Sequence, residues 1–207
     1  MDIDVTQHIG AVTRQVSSRS ENNQETRVVT ASRTYSTTPD DLWNALTTAE
    51  RIPRWFMPIT GDLRLGGRYQ LQGNAGGEIL VCEPPRHLKV TWEYAGQTSW
   101  VEVRIATHAA GSHLTLEHTV FPDDHWKQFG AGATGVGWDL ALIGLAQHVA
   151  GSMADPKEGM EWMMSDNGKS FVRASSDAWG AAAIASGEAA EVAQAAASRT
   201  TAAFTGS

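Results

Sequence analysis

The amino-acid sequence predicts an α+β fold in which an antiparallel sheet is followed by a long helix, and three observations support it. Residues 27–57 hold one segment rich in β-branched residues and two short helical segments. Residues 62–121 alternate between polar and apolar side chains, as strands with one buried face do. Residues 132–150 return to the helical spacing of apolar side chains.

The first strand is predicted at Arg27–Tyr35, because this segment is rich in β-branched residues. The next segment, Thr38–Asp41, is typical of a helix N-terminus. Its threonine can cap free backbone N–H groups, its proline suits the first turn, and its acidic residues favour the positive end of the helix dipole. We therefore predict a helix after Thr38.

A second short helix is predicted within TTAERIPRWFMP, Thr47–Pro58. Thr47 and Glu50 have the spacing of a capping box, in which each side chain accepts a hydrogen bond from the other residue's backbone. Pro53 lacks the N–H group that would continue the helix, so we expect one or two turns, or an irregular segment.

Glycine and proline turn signals divide residues 62–121 into five short strands, namely RYQLQ, EILVCE, HLKVTWEY, TSWVEVRIAT and HLTLEHTVF. In the third, Trp92 shares a face with Val90. In the fifth, His118 shares a face with Leu116 and Val120. Short connections between successive strands imply an antiparallel meander.

The C-terminal part of the sequence is predicted to be helical. Apolar residues at helical spacing indicate a helix of roughly five turns over residues 132–150, and Asp155-Pro156 precedes another. The alanine-rich remainder predicts two helices separated at Gly187. Alanine-rich helices of about 15 residues are marginal alone, so Trp162 and Trp179 are expected to be buried against the same domain or, alternatively, against another subunit in a homodimer.

These segments suggest three regions. Residues 1–26 are predicted to be an N-terminal arm, helical or extended, followed by a flexible link. Residues 27–150 form the α+β domain, and residues 151–207 form a helical C-terminal extension.

Composition excludes several functional classes. The net charge of −7 argues against nucleic-acid binding, and one cysteine among 207 residues excludes an internal disulfide and a multi-cysteine zinc site. The N-terminus lacks the features of a secretory signal, and no apolar run is long enough to span a membrane. We expect a soluble cytoplasmic protein with no cofactor.

Two motifs are interpreted as structural. Gly130-x-Gly132-x-x-Gly135 matches a dinucleotide-binding fingerprint, but no parallel βαβ unit surrounds it. We interpret these glycines as small residues that let the long helix approach the sheet. His108, His113 and His118 do not have the spacing of metal ligands, so no metal site is predicted.

The sequence resembles the START-like (SRPBCC) superfamily, in particular the branch named after the activator of heat-shock-protein ATPase homologue. The resemblance rests on PDDLWNALTTAERIPRWF, GDLRLGGRYQLQGNAGGEI, EPPRHLKVTWEY and LTLEH. It implies a helix-grip fold, in which a curved antiparallel sheet surrounds a long C-terminal helix and an apolar cavity lies between them. The motifs are specific for the branch and not for an activity.

The resemblance also implies where a ligand would bind. Ile52, Trp55 and Phe56 are spaced so that they can face inward together. They form either a wall or gate of the cavity or part of a filled core. The candidate ligand-binding residues are large aromatic side chains and one buried polar residue: Trp55, Phe56, Tyr69, Trp92, His118 and Trp138.

Three functions follow as hypotheses. The leading one is binding of a small hydrophobic molecule in the cavity, with no demonstrated chemistry. The second is an enzyme of the cyclase, dehydratase or hydrolase kind, with His118 as acid or base and Tyr69 as its orienting group. The third is a chaperone-interaction module, which is suggested by the family name alone.

Overall fold

The computed structural model describes residues 3–21, 23–152 and 156–206, and for residues 156 and 157 it describes the backbone alone. These ranges contain seven α-helices, eight strands and a 3₁₀ turn at Ile52–Arg54. The helices are α1 (Val5–Gly10), α2 (Pro39–Thr47), α3 (Asp124–Phe129), α4 (Gly132–Val149), α5 (Pro156–Met164), α6 (Asp166–Ala185) and α7 (Ala190–Thr205). The strands are β1 (Val12–Glu21), β2 (Gln24–Tyr35), β3 (Ile59–Gly61), β4 (Arg68–Leu71), β5 (Gly76–Glu83), β6 (His87–Tyr94), β7 (Gln97–His108) and β8 (Gly111–Val120).

The strands form one sheet in the order β1-β2-β8-β7-β6-β5-β4-β3. Each consecutive pair from β3 to β8 is antiparallel, which confirms the predicted meander. The α+β class, the long helix α4 and the two alanine-rich helices α6 and α7 are also confirmed.

The turn between β6 and β7 sets the positions of the candidate site residues. Ala95 and Gly96 have φ angles of 49° and 78°, the left-handed conformation that a two-residue hairpin turn requires. This turn pairs Trp92 with Ser99, and β7 pairs Val101 with His118 on β8. Because side chains alternate along strands, Trp92, Ser99 and His118 lie on one face of the sheet.

The helix predicted after Thr38 is α2. The Thr38 hydroxyl accepts a hydrogen bond from the Asp41 backbone N–H group at 3.2 Å, as a helix N-cap does. The predicted capping box is wrong, because Thr47 is the last residue of α2 and its hydroxyl donates to the Trp43 carbonyl at 2.8 Å. A single 3₁₀ turn follows instead of an α-helix.

The predicted flexible link before residue 27 is wrong for its described residues, which extend β1 and begin β2. The polar residues there lie mostly on exposed positions of the strands, which explains why the composition resembled a linker. Thr26 is fully buried, and its hydroxyl donates to the Arg19 carbonyl of β1 at 3.1 Å.

Contacts between Cα atoms divide the chain into two compact units. The terminal unit comprises residues 1–31, 121–140 and 155–207, and the middle unit comprises residues 32–120 and 141–154. The division into an arm (1–26), a domain (27–150) and an extension (151–207) stays a prediction.

The C-terminal helices are integral to the terminal unit. Helix α6 packs against α1, β1, α5 and α7, and α3 packs against α7. Trp162 and Phe171 contact each other with ring centroids 5.9 Å apart, and Trp179 is fully buried. Trp162, Phe171 and Trp179 are therefore buried within the same chain, as expected for the two tryptophans, whereas Phe204 of α7 is 38% exposed.

The glycines of Gly130-x-Gly132-x-x-Gly135 permit close packing, but against helices. An added Cβ atom at Gly132 would lie 3.0 Å from the Thr200 hydroxyl of α7, and one at Gly135 would lie 2.2 Å from the Trp179 ring of α6. We expected these glycines to let the long helix approach the sheet. The structure instead places Gly132 and Gly135 against α7 and α6.

Candidate ligand-binding site

His118 is a buried polar residue on the apolar face of the sheet in the middle unit. It lies on β8, is 6% exposed and pairs with Val101 of β7. Burial disfavours its charged form and lowers its pKa to about 4. The imidazole is therefore neutral at neutral pH and offers one hydrogen-bond donor and one acceptor.

Ser99 is a hydrogen-bond partner of His118. Its hydroxyl oxygen lies 2.8 Å from His118 Nε2 and 3.1 Å from the carbonyl oxygen of Trp92. A hydroxyl carries one hydrogen, so both contacts are satisfied together when Ser99 donates to Trp92 and accepts from a protonated Nε2. This arrangement selects one tautomer of the neutral imidazole and fixes the orientation of its ring.

Trp92 lies against His118. The two rings meet edge to face, with centroids 5.8 Å apart and planes at 61°. Trp92 is half-buried, whereas His118 is almost completely buried. The pair thus presents a large aromatic surface beside a buried polar group, the combination of side chains found in small-molecule sites.

Tyr69 is linked to the strand that carries Trp92. It is 8% exposed, and its hydroxyl donates to the Thr91 carbonyl of β6 at 2.8 Å. Its phenol reaches β6 because the residue paired with it on β5 is Gly77, which has no side chain. Burial raises the pKa of Tyr69, so its hydroxyl remains protonated.

Trp55 and Phe56 follow the 3₁₀ turn as a stacked pair, with ring centroids 5.4 Å apart and planes at 23°. The Trp55 indole N–H group donates to the Ala45 carbonyl of α2 at 3.0 Å. Helix α4 passes close by, since an added Cβ atom at Gly144 would lie 2.4 Å from the Trp55 carbonyl oxygen. Both side chains are half-buried.

The structure brings some of the six predicted residues together, and their assignment to one ligand site stays a prediction. Trp92 and His118 are in contact, and Tyr69 is bonded to the same strand as Trp92. Trp55 and Phe56 are in contact with each other. Trp138 is 9% exposed on α4 and belongs to the terminal unit.

Comparison with known families accounts for this architecture. Residues 36–150 match the family described as Activator of Hsp90 ATPase homolog 1-like protein, which is more than half of the 207-residue chain. The chain belongs to this family. The predicted helix-grip fold is confirmed with it, since solved structures of similar sequence share the architecture.

The AHSA1-like chain is similar to CalU16 from Micromonospora echinospora. The CalU16 crystal structure is 34% identical with a TM-score of 0.67 and covers 86% of this chain and 99% of CalU16. Its solution structure is 33% identical with a TM-score of 0.70, covering 85% and 97%. Residues 1–150 alone are less than 86% of the 207 residues, so the likeness to CalU16 includes part of the C-terminal helices.

A shorter likeness is to MLL2253 from Mesorhizobium loti, which is 28% identical with a TM-score of 0.54. It covers 60% of this AHSA1-like chain and 97% of MLL2253. A search among curated proteins found no match.

Sequence reasoning about this AHSA1-like chain missed Ser99, although a signal was present. A two-residue turn at Ala95-Gly96 pairs Tyr94 with Gln97, and counting back along both strands places Ser99 opposite Trp92. The alternation of β8 then puts His118 on the same face.

Arg51 was also missed. Its guanidinium donates to Asp41 Oδ1 at 2.8 Å, to Asn44 Oδ1 at 2.9 Å and to His148 Nε2 at 3.1 Å. The hydrogen bond from Arg51 lowers the pKa of the Asp41 carboxyl, and burial, together with the Arg51 charge, lowers the pKa of His148. Arg51 thus joins the 3₁₀ turn to α2 and to the end of α4. No local sequence pattern indicates these contacts.

Within the described ranges, no group of three or more His, Cys, Asp or Glu side chains is placed to hold a metal ion. The rings of His108 and His113 lie 6.3 Å apart beside the β7–β8 turn, and His113 Nδ1 is 3.1 Å from the Thr34 hydroxyl. None of the helices in the part of the chain that the structure describes is long and apolar enough to cross a membrane.

Proposed function

We propose that this AHSA1-like protein binds a small hydrophobic molecule between the sheet and α4 of the middle unit, next to Trp92 and His118. The observation that carries the proposal is a neutral, buried imidazole, fixed by Ser99, beside a half-buried indole. In such a site the buried polar group fixes the orientation of the ligand, and the aromatic surface provides most of the affinity for it.

The position of α4 supports this proposal. The Tyr35 hydroxyl of β2 donates to the Leu142 carbonyl of α4 at 3.3 Å, so the C-terminal half of α4 lies near the sheet. Trp55 of the 3₁₀ segment approaches Gly144 of the same helix. A ligand between these elements would gain on the order of 25 cal/mol for each Å² of apolar surface that it buries, before the costs of association.

The contacts of Tyr69 favour binding over catalysis. An enzyme that uses His118 as acid or base and Tyr69 as its orienting group needs the phenol hydroxyl to face His118. That hydroxyl donates to the Thr91 carbonyl, and Ser99 is a hydrogen-bond partner of His118. The hydrogen bond of Tyr69 to Thr91 does not support its role as the orienting group of His118, so we propose a binding protein.

The proposal is tested with N-phenyl-1-naphthylamine, an uncharged apolar fluorescent probe, by titration and by its displacement with a panel of apolar compounds. Trp92→Ala removes the aromatic surface of the site. Trp100→Ala is the matched control, since Trp100 lies on the opposite face of the sheet.

We expect saturable binding by the wild-type protein, about tenfold weaker binding by Trp92→Ala, and unchanged binding by Trp100→Ala. Equal affinities for the two variants, or no saturable binding by the wild type, would contradict the proposal. A titration with an Hsp90-type ATPase, read as ATP turnover, tests the chaperone-interaction hypothesis separately, because that activity requires a protein surface and no internal ligand.

A further inference from the structure

The terminal unit contains a pocket of about 630 Å³. This volume is within the range of small-molecule sites, about 300–1,000 Å³. All of its lining residues belong to β1, β2, the segment 122–132, α6, α7 and the connection between these two helices, so the pocket lies within the terminal unit. It is thus separate from the His118 site.

One face of α6 forms part of the pocket. Ser176, Trp179, Gly180 and Ala183 line it, and their spacing places them on the same side of the helix. Trp179 is fully buried, and its indole N–H group donates to Asp139 Oδ2 at 3.1 Å, so the ring is fixed in place. Trp179 therefore fixes the position of this face of α6.

Ser176 adds a polar group to this surface. It is completely buried, and its hydroxyl has no hydrogen-bond partner among the described residues. Leaving a buried hydroxyl unpaired costs free energy, and a ligand oxygen that paired with it would recover that cost. The neighbouring Ser175, in contrast, donates to the Asp139 carboxylate.

The remaining lining residues favour a flat ligand. Trp126 and Phe129 of α3 are half-buried and three residues apart, so they present aromatic surface from one face of α3. The connection between α3 and α4, the start of α4 and the wall from α7 consist largely of side chains no larger than a methyl group, namely Gly130, Ala131, Gly132, Ala193, Ala196 and Ala197. Aromatic rings beside small side chains leave a space suited to a planar molecule.

The charged residues at the pocket favour an uncharged ligand, because each is already engaged. Arg27 donates to Ser18 and to Glu25. Lys127 donates to Asp124 at 2.8 Å, and the Glu188 carboxylate accepts from the Ala189 backbone at 3.3 Å. A charged ligand would have to compete with these partners.

We infer that this pocket is a second binding site, and that its ligand is an uncharged planar aromatic molecule with a hydroxyl or carbonyl oxygen that pairs with Ser176. The ring system packs on the half-buried Trp126 and Phe129. The oxygen is the group by which the site distinguishes this ligand from a hydrocarbon of the same shape.

The test compares 2-naphthol with naphthalene, which share a ring system and differ in the hydroxyl group. Binding is measured from the chemical shift of the Trp179 indole N–H group in ¹⁵N-labelled protein, assigned with Trp179→Phe. Ala183→Leu places a larger side chain in the pocket. Ala181→Leu, on an exposed position of α6 outside the lining, is its matched control.

We expect 2-naphthol to bind the wild type about fivefold more tightly than naphthalene, as one neutral hydrogen bond would give. In Ser176→Ala the two affinities become equal, while the thermal stability of the variant is unchanged or higher. Ala183→Leu weakens both ligands at least about tenfold, and Ala181→Leu weakens neither.

Three results would overturn the inference: no saturable shift of the Trp179 signal with 2-naphthol, a naphthol preference that survives Ser176→Ala, or equal effects of the two leucine variants. Loss of N-phenyl-1-naphthylamine binding in Trp92→Ala concerns the site in the middle unit and leaves these results unaffected.

Discussion

Gly135 of α4 lies against the indole ring of Trp179 of α6, so closely that an added Cβ atom would be 2.2 Å from Cε2. The ring cannot move away easily, because its N–H group is bonded to the buried Asp139 carboxylate. Glycine is therefore required at this position to bring the two helices together.

Gly135→Ala is expected to destabilise the protein by about 1–3 kcal/mol, the cost of overpacking a close contact. Gly137→Ala is the control on the same helix, since an added Cβ atom there meets nothing within 4 Å. This variant should be up to about 1 kcal/mol more stable than wild type, because alanine favours the helix. Urea unfolding measures both, and similar effects of the two substitutions would disprove the close contact.

Trp92→Ala and Trp179→Ala should lower the free energy of unfolding by different amounts. Trp179 is fully buried, so its removal leaves a cavity and is expected to cost about 3–5 kcal/mol. Trp92 is half-buried, and its removal should cost clearly less. Unfolding in urea provides the comparison. A full core-sized loss for Trp92→Ala would indicate a filled interior with no space for a ligand beside His118.

The buried His118 predicts a specific dependence of stability on pH. Burial lowers its pKa from 6.5 to about 4, so between these values the unfolded chain binds a proton that the folded protein does not. Lowering the pH through this window therefore destabilises the folded state, by on the order of 3 kcal/mol in total. Stability rises again as the pH is raised from 4 to 6.5.

His118→Gln removes this titration and keeps a polar side chain. The difference in unfolding free energy between wild type and variant should shrink as the pH falls from 7 to 4, measured in urea at each pH. His148 and the carboxylates titrate in both proteins and cancel in the difference. Parallel pH profiles would show that His118 is not held neutral by burial.

Asp139 and Arg14 form a buried ion pair, in which each charge is compensated by the other. Arg14 Nε lies 2.9 Å from Asp139 Oδ2, while Asp139 Oδ1 and Arg14 Nη2 have no partner among the described residues. Burial raises the pKa of Asp139, against the effect of the Arg14 charge. Asp139→Leu leaves the arginine buried without its counter-charge, and we expect a loss of about 3–5 kcal/mol.

The double variant Arg14→Met/Asp139→Leu removes both charges and should be more stable than Asp139→Leu alone. Some loss should remain, since Ser175 and Trp179 also donate to Asp139. Urea unfolding of both single variants and the double variant completes the cycle. Additive effects would show that the two charges are not coupled.

Truncation after Gly151 removes α5, α6 and α7, which pack within the terminal unit. The side of β1 that α6 covers would become exposed. We expect a melting temperature lower by several degrees, together with aggregation, as followed by thermal unfolding and light scattering. A truncated chain that stays soluble and equally stable would show that these helices are a detachable module.

Local chemistry determined how much of this structure the sequence could predict. The cap at Thr38, the strand alternation and the turn glycines act over a few residues, and the elements they predict are present. Contacts between segments distant in the sequence could not be predicted, because no local pattern indicates them. Examples are the contact of Gly135 with Trp179 and the hydrogen bond from Arg51 to His148. The His118 environment was predicted in part, because strand alternation gave its face and not its partner.

The terminal unit is assembled from three separate parts of the chain, the last of which includes α7. During synthesis on the ribosome, residues 1–31 and 121–140 emerge well before the helices that complete their surroundings. Most of the middle unit is the continuous segment 32–120 and can form from contacts between neighbouring strands. We therefore expect the middle unit to fold first as the nascent chain lengthens. Residues 1–31 are expected to complete their packing only after α6 and α7 have been synthesised.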